Sequence, residues 1–125
     1  MILDTNALSA WADGNPDIRS VLEEAQRLVV PSVVLGEYWF GILQSRHRPQ
    51  YEEWLNENLL RAELAVIGHA TARAYAQIRL ELKQQGRPLP ANDVWIAALA
   101  RQHRLPVLSN DSHFDAIPDV QRIRF

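Results

Sequence analysis

The sequence predicts an α/β domain in which a short, mainly parallel central sheet is covered by helices on both faces. Three observations predict it. Short apolar runs of strand length alternate with helical patterns of ten or more residues. The breaks between them carry turn and capping residues, among them Asp13-Gly14, Asn15-Pro16, Gly68 and Gly86. At 125 residues the chain has the size of a single domain built round one core.

Met1 to Asp4 reads as a short buried strand. Thr5 to Asp13 reads as a helix with Leu8, Trp11 and Ala12 on one face. Asn15-Pro16 is a helix start, an N-cap followed by proline at the first helical position. Ile18, Val21, Leu22 and Ala25 carry that helix to about Gln26. Leu28 to Val30 is a second strand, closed by Pro31. Ser32 is expected to cap a helix that is apolar nearly all round, which makes it deeply buried or partly an interface. Ser45 to Pro49 is a break, and Gln50 to Glu63 a further helix. Leu64 to Ile67 is a third strand. His69 to Gln85 is a long amphipathic helix stopped by Gly86. After the extended connector Arg87 to Pro90, Asn92 is expected to cap a helix ending near His103. Leu105 to Ser109 is a fourth strand, Asn110 to Ala116 a loop with a helical turn, and Val120 to Phe125 a final edge strand.

The composition is 47% hydrophobic and 22% charged, an ordinary globular balance. The absence of cysteine excludes disulfides, thiolate zinc sites and thiol nucleophiles. No apolar run approaches the roughly 20 residues needed to cross a bilayer. The N-terminus lacks the layout of a signal peptide, and the expected location is the cytoplasm. The net charge of -2 does not advertise a nucleic-acid ligand. Gathering four acids into one site, however, leaves the remainder of the molecule net positive. All the basic residues but Lys83 are arginine, which suits bidentate phosphate contact.

Four acidic residues stand out by setting. Asp4 ends a strand expected in the middle of the sheet, where a lone buried carboxylate needs a partner. Its ordinary role would be an N-cap. Glu37 sits inside an apolar helix with hardly any polar face, and its alternative is a buried pair with an arginine. Asp93 lies at a helix start, where acids are common for dipole reasons. Asp111 follows a strand end in Asn110-Asp111-Ser112-His113, a turn-rich stretch, and Asp115 is a spare candidate nearby. His113, beside Phe114, reads as packed or solvent-facing and stays outside the ligand set. Strand-Asp, helix-Glu, helix-start-Asp and strand-end-Asp together make an all-oxygen donor set. That set suits magnesium or manganese and does not suit zinc.

Four stretches carry a family resemblance: Leu3-Asp4-Thr5-Asn6, Ser32-Val33-Val34-Leu35-Gly36-Glu37, Leu89-Pro90-Ala91-Asn92-Asp93-Val94-Trp95-Ile96-Ala97-Ala98, and Leu108-Ser109-Asn110-Asp111-Ser112-His113-Phe114. In order and spacing the chain resembles a PIN-domain protein, and more narrowly a VapC-type toxin of bacterial toxin–antitoxin pairs. The resemblance implies a three-layer α/β/α PIN domain over residues 1–125. It implies an endoribonuclease dependent on Mg2+ or Mn2+, a homodimer, and a cognate VapB-like antitoxin that inserts into the active-site groove. It also implies Asp4, Glu37, Asp93 and Asp111 as site acids, with the Thr5 and Ser109 hydroxyls beside them and Asn6 and Asn110 as supporting polar groups. The last motif varies most within the family, so Asp115 stays open as the fourth acid.

The chemistry expected of such a site is water attack on an RNA phosphodiester, assisted by one or two divalent cations. Asp4 and Asp93 are the expected principal ligands, with Glu37 and Asp111 completing the cluster or orienting water. Arg46 and Arg48, placed in a loop, and Arg87 are the candidate phosphate contacts. Tyr38-Trp39-Phe40 with Trp11 and Trp54 exceed what a small core requires, and an apolar groove near the Glu37 helix is expected to dock an antitoxin segment. Two rivals remain. A phosphoryl-transfer domain with Asp4 as nucleophile would want a second acid close by and a late lysine, and the chain has Asp13 and Lys83 instead. A non-catalytic interaction protein on the same fold would be expected to have lost one or more of the acids.

Overall fold

The computed structural model describes residues 1–125. The chain forms β1 (Ile2–Leu3), α1 (Thr5–Ala12), α2 (Pro16–Glu24), β2 (Val29–Pro31), α3 (Ser32–Gln44), α4 (Arg48–Asn58), β3 (Glu63–Ala65), α5 (His69–Gln84), α6 (Ala91–His103), β4 (Val107–Leu108) and β5 (Arg122–Ile123). Short 3-10 turns occupy Leu59–Arg61 and Ser112–Ala116. The sheet has the order β3-β2-β1-β4-β5. Every pairing in it is parallel, so the expected mainly parallel sheet is wholly so.

This order puts β1 at the centre. The chain builds outward from β1 through β2 to β3, then returns across α5 and α6 to place β4 on the other flank of β1. Neighbouring strands β1 and β4 therefore diverge in the direction of their connections. A crevice opens beyond their carboxyl ends at such a reversal.

Central position explains why Ile2, Leu3, Val107 and Leu108 have no solvent exposure. Both faces of such strands are covered, so they read as apolar runs rather than alternations. Ile78 of α5 and Val94, Ile96, Ala97, Ala98, Leu99 and Ala100 of α6 join the same core. The alanines of α6 let it lie close to the sheet, and α6 is the helix that carries Asp93.

Several local expectations are corrected. Asn92 does not cap α6: the helix begins at Ala91 after an extended Pro90, and the Asn92 amide is spent on a long-range partner described below. Ser32 is likewise the first residue of α3, with Pro31 at the capping position. Arg48 is not in a loop. It is the first residue of α4 and pairs with Glu52 one turn on. The third strand starts one residue early, because Glu63 of β3 pairs in register with Val29, leaving Val66 and Ile67 beyond the strand and exposed. Of the two alternatives for helix α3, deep burial all round does not hold, and an interface face stays open. The helix buries Val34, Tyr38 and Ile42 on one stripe and exposes Phe40 and Leu43 on the other.

Candidate metal centre

Asp4 leaves β1 at the mouth of the crevice and caps α1. Its Oδ1 accepts from the Thr5 backbone N–H at 2.7 Å. Its Oδ2 accepts from the Ser109 hydroxyl at 2.7 Å and from the Asn6 amide at 2.9 Å. Capping and site membership are thus properties of one residue. The carboxyl is 5% exposed, and burial pushes its pKa above the usual carboxylate range. The bonds from Ser109 and Thr5 pull the other way, and repulsion from Asp93 and Asp111 adds to the rise.

Ser109 ends β4 and is fully buried. Besides donating to Asp4, its oxygen accepts from the Asp111 N–H at 2.9 Å and the Asn6 amide at 3.1 Å. Asn6 also accepts from the Asn110 N–H at 3.2 Å. The ends of β1 and β4 are therefore stitched together by Asn6 and Ser109. The side chain of Asn110 turns away and accepts from the Phe125 N–H at 3.0 Å. Its support is to the C-terminus rather than to the acids.

Asp93, in the first turn of α6, and Asp111 converge on His113. The His113 Nδ1 lies 2.7 Å from an Asp93 oxygen and 3.2 Å from an Asp111 oxygen. One ligand atom from each of the three residues falls within 4.8 Å of the others. Burial raises the Asp93 pKa; the His113 hydrogen bond lowers it, and Asp111 pushes it up again. The His113 pKa is raised, chiefly by its bond to Asp93. A cluster of acids in partial burial repels itself and draws in protons or cations. The His113 ring stands between the two acids, where a positive charge would offset their repulsion.

Glu37 reaches the same region from α3. Its Oε2 accepts from the Thr5 hydroxyl at 2.5 Å, and its Oε1 accepts from the Asn92 side-chain amide. It has no arginine partner, so the buried-pair alternative does not hold. Repulsion from Glu37 adds a minor part to the rise in the Asp93 pKa.

Asp115 stands apart. It forms a two-pronged pair with Arg122, at 2.8 and 2.5 Å, which holds its carboxyl below the usual range. Of the arginines singled out, Arg46 is exposed in the turn after α3, Arg48 is tied to Glu52, and Arg87 lines a groove beside α6.

Two residues of this centre escape a reading by sequence. His113 adjoins Phe114 and so reads in sequence as packed or solvent-facing. The 3-10 turn sends Phe114 wholly inward and leaves His113 on the opposite side, over the acids. Asn92 looked like a cap, because capping is the commonest use of an asparagine before a helix. A helix-start Asn-Asp pair is the available signal for both.

Two carboxylates and one imidazole, from Asp93, Asp111 and His113, lie close enough together to hold a metal ion. The protein is thus an α/β/α domain with an acidic, cation-seeking site at the reversal point of a parallel sheet. It belongs to the PIN domain family, whose model matches residues 1–120. The chain is 34% identical to ribonuclease VapC4 of Mycobacterium tuberculosis over 75% of its own length and 74% of the relative's. It is 29% identical to ribonuclease VapC5 of the same organism, covering 93% and 86%. Among solved structures, VapBC2 of Rickettsia felis bound to a promoter DNA fragment superposes with a TM-score of 0.90 at 26% identity, covering 99% and 97% of the two chains. VapBC-5 of M. tuberculosis superposes at 0.76 with 30% identity, covering 99% and 97%. No helix is long and apolar enough to cross a membrane.

Proposed function

We propose that this protein is a divalent-metal-dependent endoribonuclease and the toxin of a toxin–antitoxin pair. The observation that carries the reading is the convergence of Asp93, Asp111 and His113 in front of the buried Asp4, within a PIN fold whose named relatives are VapC ribonucleases.

Asp4, Asp93 and Asp111 would hold Mg2+ or Mn2+, with His113 either adding a nitrogen ligand or moving aside. When bound, the cation supplies neutralisation of the phosphodiester charge and acidification of water. The protein groups do the rest. Asp4 is fixed by three donors, so the face it offers is set before substrate arrives, and no reorganisation is needed at the moment of reaction. Glu37 is fixed by Thr5 and Asn92 and keeps unused lone pairs. We assign it to orienting the attacking water. In-line attack of that water on phosphorus breaks the bond to the 3′ oxygen, which leaves with a proton. The products carry a 5′-phosphate and a 3′-hydroxyl.

The protein acts in the cytoplasm as a homodimer, and its inhibitor is a VapB-like antitoxin segment seated in the active-site groove. The solved relatives described as VapBC pairs support the antitoxin partner. The test is cleavage of total cellular RNA by the purified protein with Mg2+, with Mn2+ and with EDTA, alongside Asp4→Asn. Metal-dependent cutting that is absent in the variant supports the reading. A wild-type protein that binds no Mn2+ in calorimetry overturns it.

A further inference from the structure

The largest groove on the molecule is not lined by the acidic cluster. It measures about 610 Å³ and lies between the C-terminal half of α5, the connector and the first turn of α6. Its walls carry three cations, Arg79, Lys83 and Arg87, and no acid. None of the three has a carboxylate partner. What sets these three apart is that they gather in one groove whose lining contains no acid.

The placement follows from the sequence. Tyr75, Arg79 and Lys83 recur every fourth residue and form one ridge along α5. Gly86 then takes a positive φ of 65° and closes the helix, with the Gly86 N–H bonded to the Lys83 carbonyl and the Arg87 N–H to the Leu82 carbonyl. This glycine-terminated helix end folds Arg87 back beside the ridge. At the upper end Tyr75 stacks on Trp95 of α6, with centroids 3.8 Å apart and planes 18° apart. The Arg79 guanidinium lies over the tyrosine ring, 5.6 Å from its centroid, and donates to the Tyr75 hydroxyl at 2.8 Å. Leu80 is 56% exposed at the groove, and Leu89 and Val94 add apolar wall. Val94 is the chain neighbour of Asp93.

We propose that this groove carries the single-stranded RNA segment next to the phosphodiester being cut, with Arg79, Lys83 and Arg87 holding its backbone phosphates and Leu80 and Leu89 lying against its bases. The inference rests on the ribonuclease reading. Three cations along one groove supply the positively charged track that single-strand binding uses for the backbone, with Leu80 and Leu89 as apolar surface beside it and Val94 next in the chain to the site acid Asp93. The cations also answer the electrostatic difficulty of the site, since an acidic pocket by itself repels RNA.

The experiment measures binding of a fluorescein-labelled random-sequence RNA oligonucleotide by anisotropy across a KCl series, in the Asp4→Asn background to suppress turnover. The parent is compared with R79Q/K83Q/R87Q, and with R19Q/R104Q as a control away from the groove. All of these positions are exposed, and thermal melts confirm folding. Cleavage by the otherwise unsubstituted protein is measured in parallel. The groove variant is expected to bind at least about tenfold more weakly at low salt. Its slope of log affinity against log salt falls by about 2, the value for three lost contacts on a single strand. With Asp4 retained, R79Q/K83Q/R87Q keeps the wild-type Mn2+ affinity in calorimetry. RNA binding and salt slope equal to the parent's, in a protein that still cleaves RNA, overturn the groove assignment and leave the nuclease reading standing. Parent-like RNA binding together with a changed oligomeric state on gel filtration assigns the face to a protein contact and likewise overturns it. No cleavage and no RNA binding by the wild type overturns both readings.

Discussion

His113 bridges Asp93 and Asp111, its Nδ1 lying 2.7 Å from the first and 3.2 Å from the second. The imidazole thus occupies the space between two acids that would otherwise face each other across the mouth of the site. The bond to Asp93 raises the His113 pKa, which favours the charged imidazolium at that position.

This arrangement fixes the pH dependence of the metal-free protein. The folded-state pKa of His113 lies above the ordinary value near 6.5. Its stabilisation is therefore complete below about pH 6.5 and is lost as pH rises through the elevated folded pKa. Asp4 and Asp93 also have raised values. Their contribution is complete below about pH 3.8 and is lost as pH climbs through their folded values. Thermal melts in EDTA should show falling stability above pH 6.5, and His113→Asn should remove that segment of the curve. A variant with the same decline as wild type above pH 6.5 would refute the bridge.

Metal should reverse the repulsion among the acids. At about 100 times its dissociation constant, Mn2+ should stabilise the wild type by about 2.7 kcal/mol, a shift of several degrees in melting temperature. Asp93→Asn and Asp111→Asn should each gain little from Mn2+, read as the melting shift between EDTA and Mn2+. A full Mn2+ shift in either variant would remove that residue from the ligand set.

Asp115 provides the contrasting case. Its carboxyl is committed to Arg122, so Asp115→Asn should keep the Mn2+ shift and the cleavage rate of wild type. Loss of both in Asp115→Asn, with both kept in Asp111→Asn, would make Asp115 the fourth acid.

Asn92 holds one oxygen of Glu37 and Thr5 holds the other. Asn92→Ala should lower kcat about 10- to 100-fold, the range seen when outer-sphere partners are removed, while Mn2+ affinity changes little. Asn92→Asp should be worse, since it sets a second carboxylate against Glu37. An unchanged kcat in Asn92→Ala would show that the orientation of Glu37 is set elsewhere.

How much of this was legible in the chain differs by residue. The alternation of apolar runs and helical patterns determined the element order and the parallel sheet, because burial on both faces leaves only apolar side chains in β1 and β4. The settings of Asp4, Glu37, Asp93 and Asp111 marked them out before any contact was visible. A carboxylate at a central strand end or in an apolar helix must find a donor or a cation. Strand pairing alone decided where β3 begins, since register with β2 depends on a neighbour distant in sequence.

Tertiary structure also decided which local role each polar residue takes. Asn92 could cap its own helix or reach Glu37, and the approach of α3 to α6 selected the second. Asp111 and Asp115 are four residues apart in one turn-rich stretch. Only the position of β5 and its Arg122 separates them, drawing Asp115 away and leaving Asp111 to the site. His113 and Phe114 are sequence neighbours with opposite fates, because a single 3-10 turn directs one into the core and the other over the acids. Hydrophobic patterning is a local signal and can be read from the chain. The partners of a charged or amide side chain are set by which elements pack together, and that choice belongs to the fold.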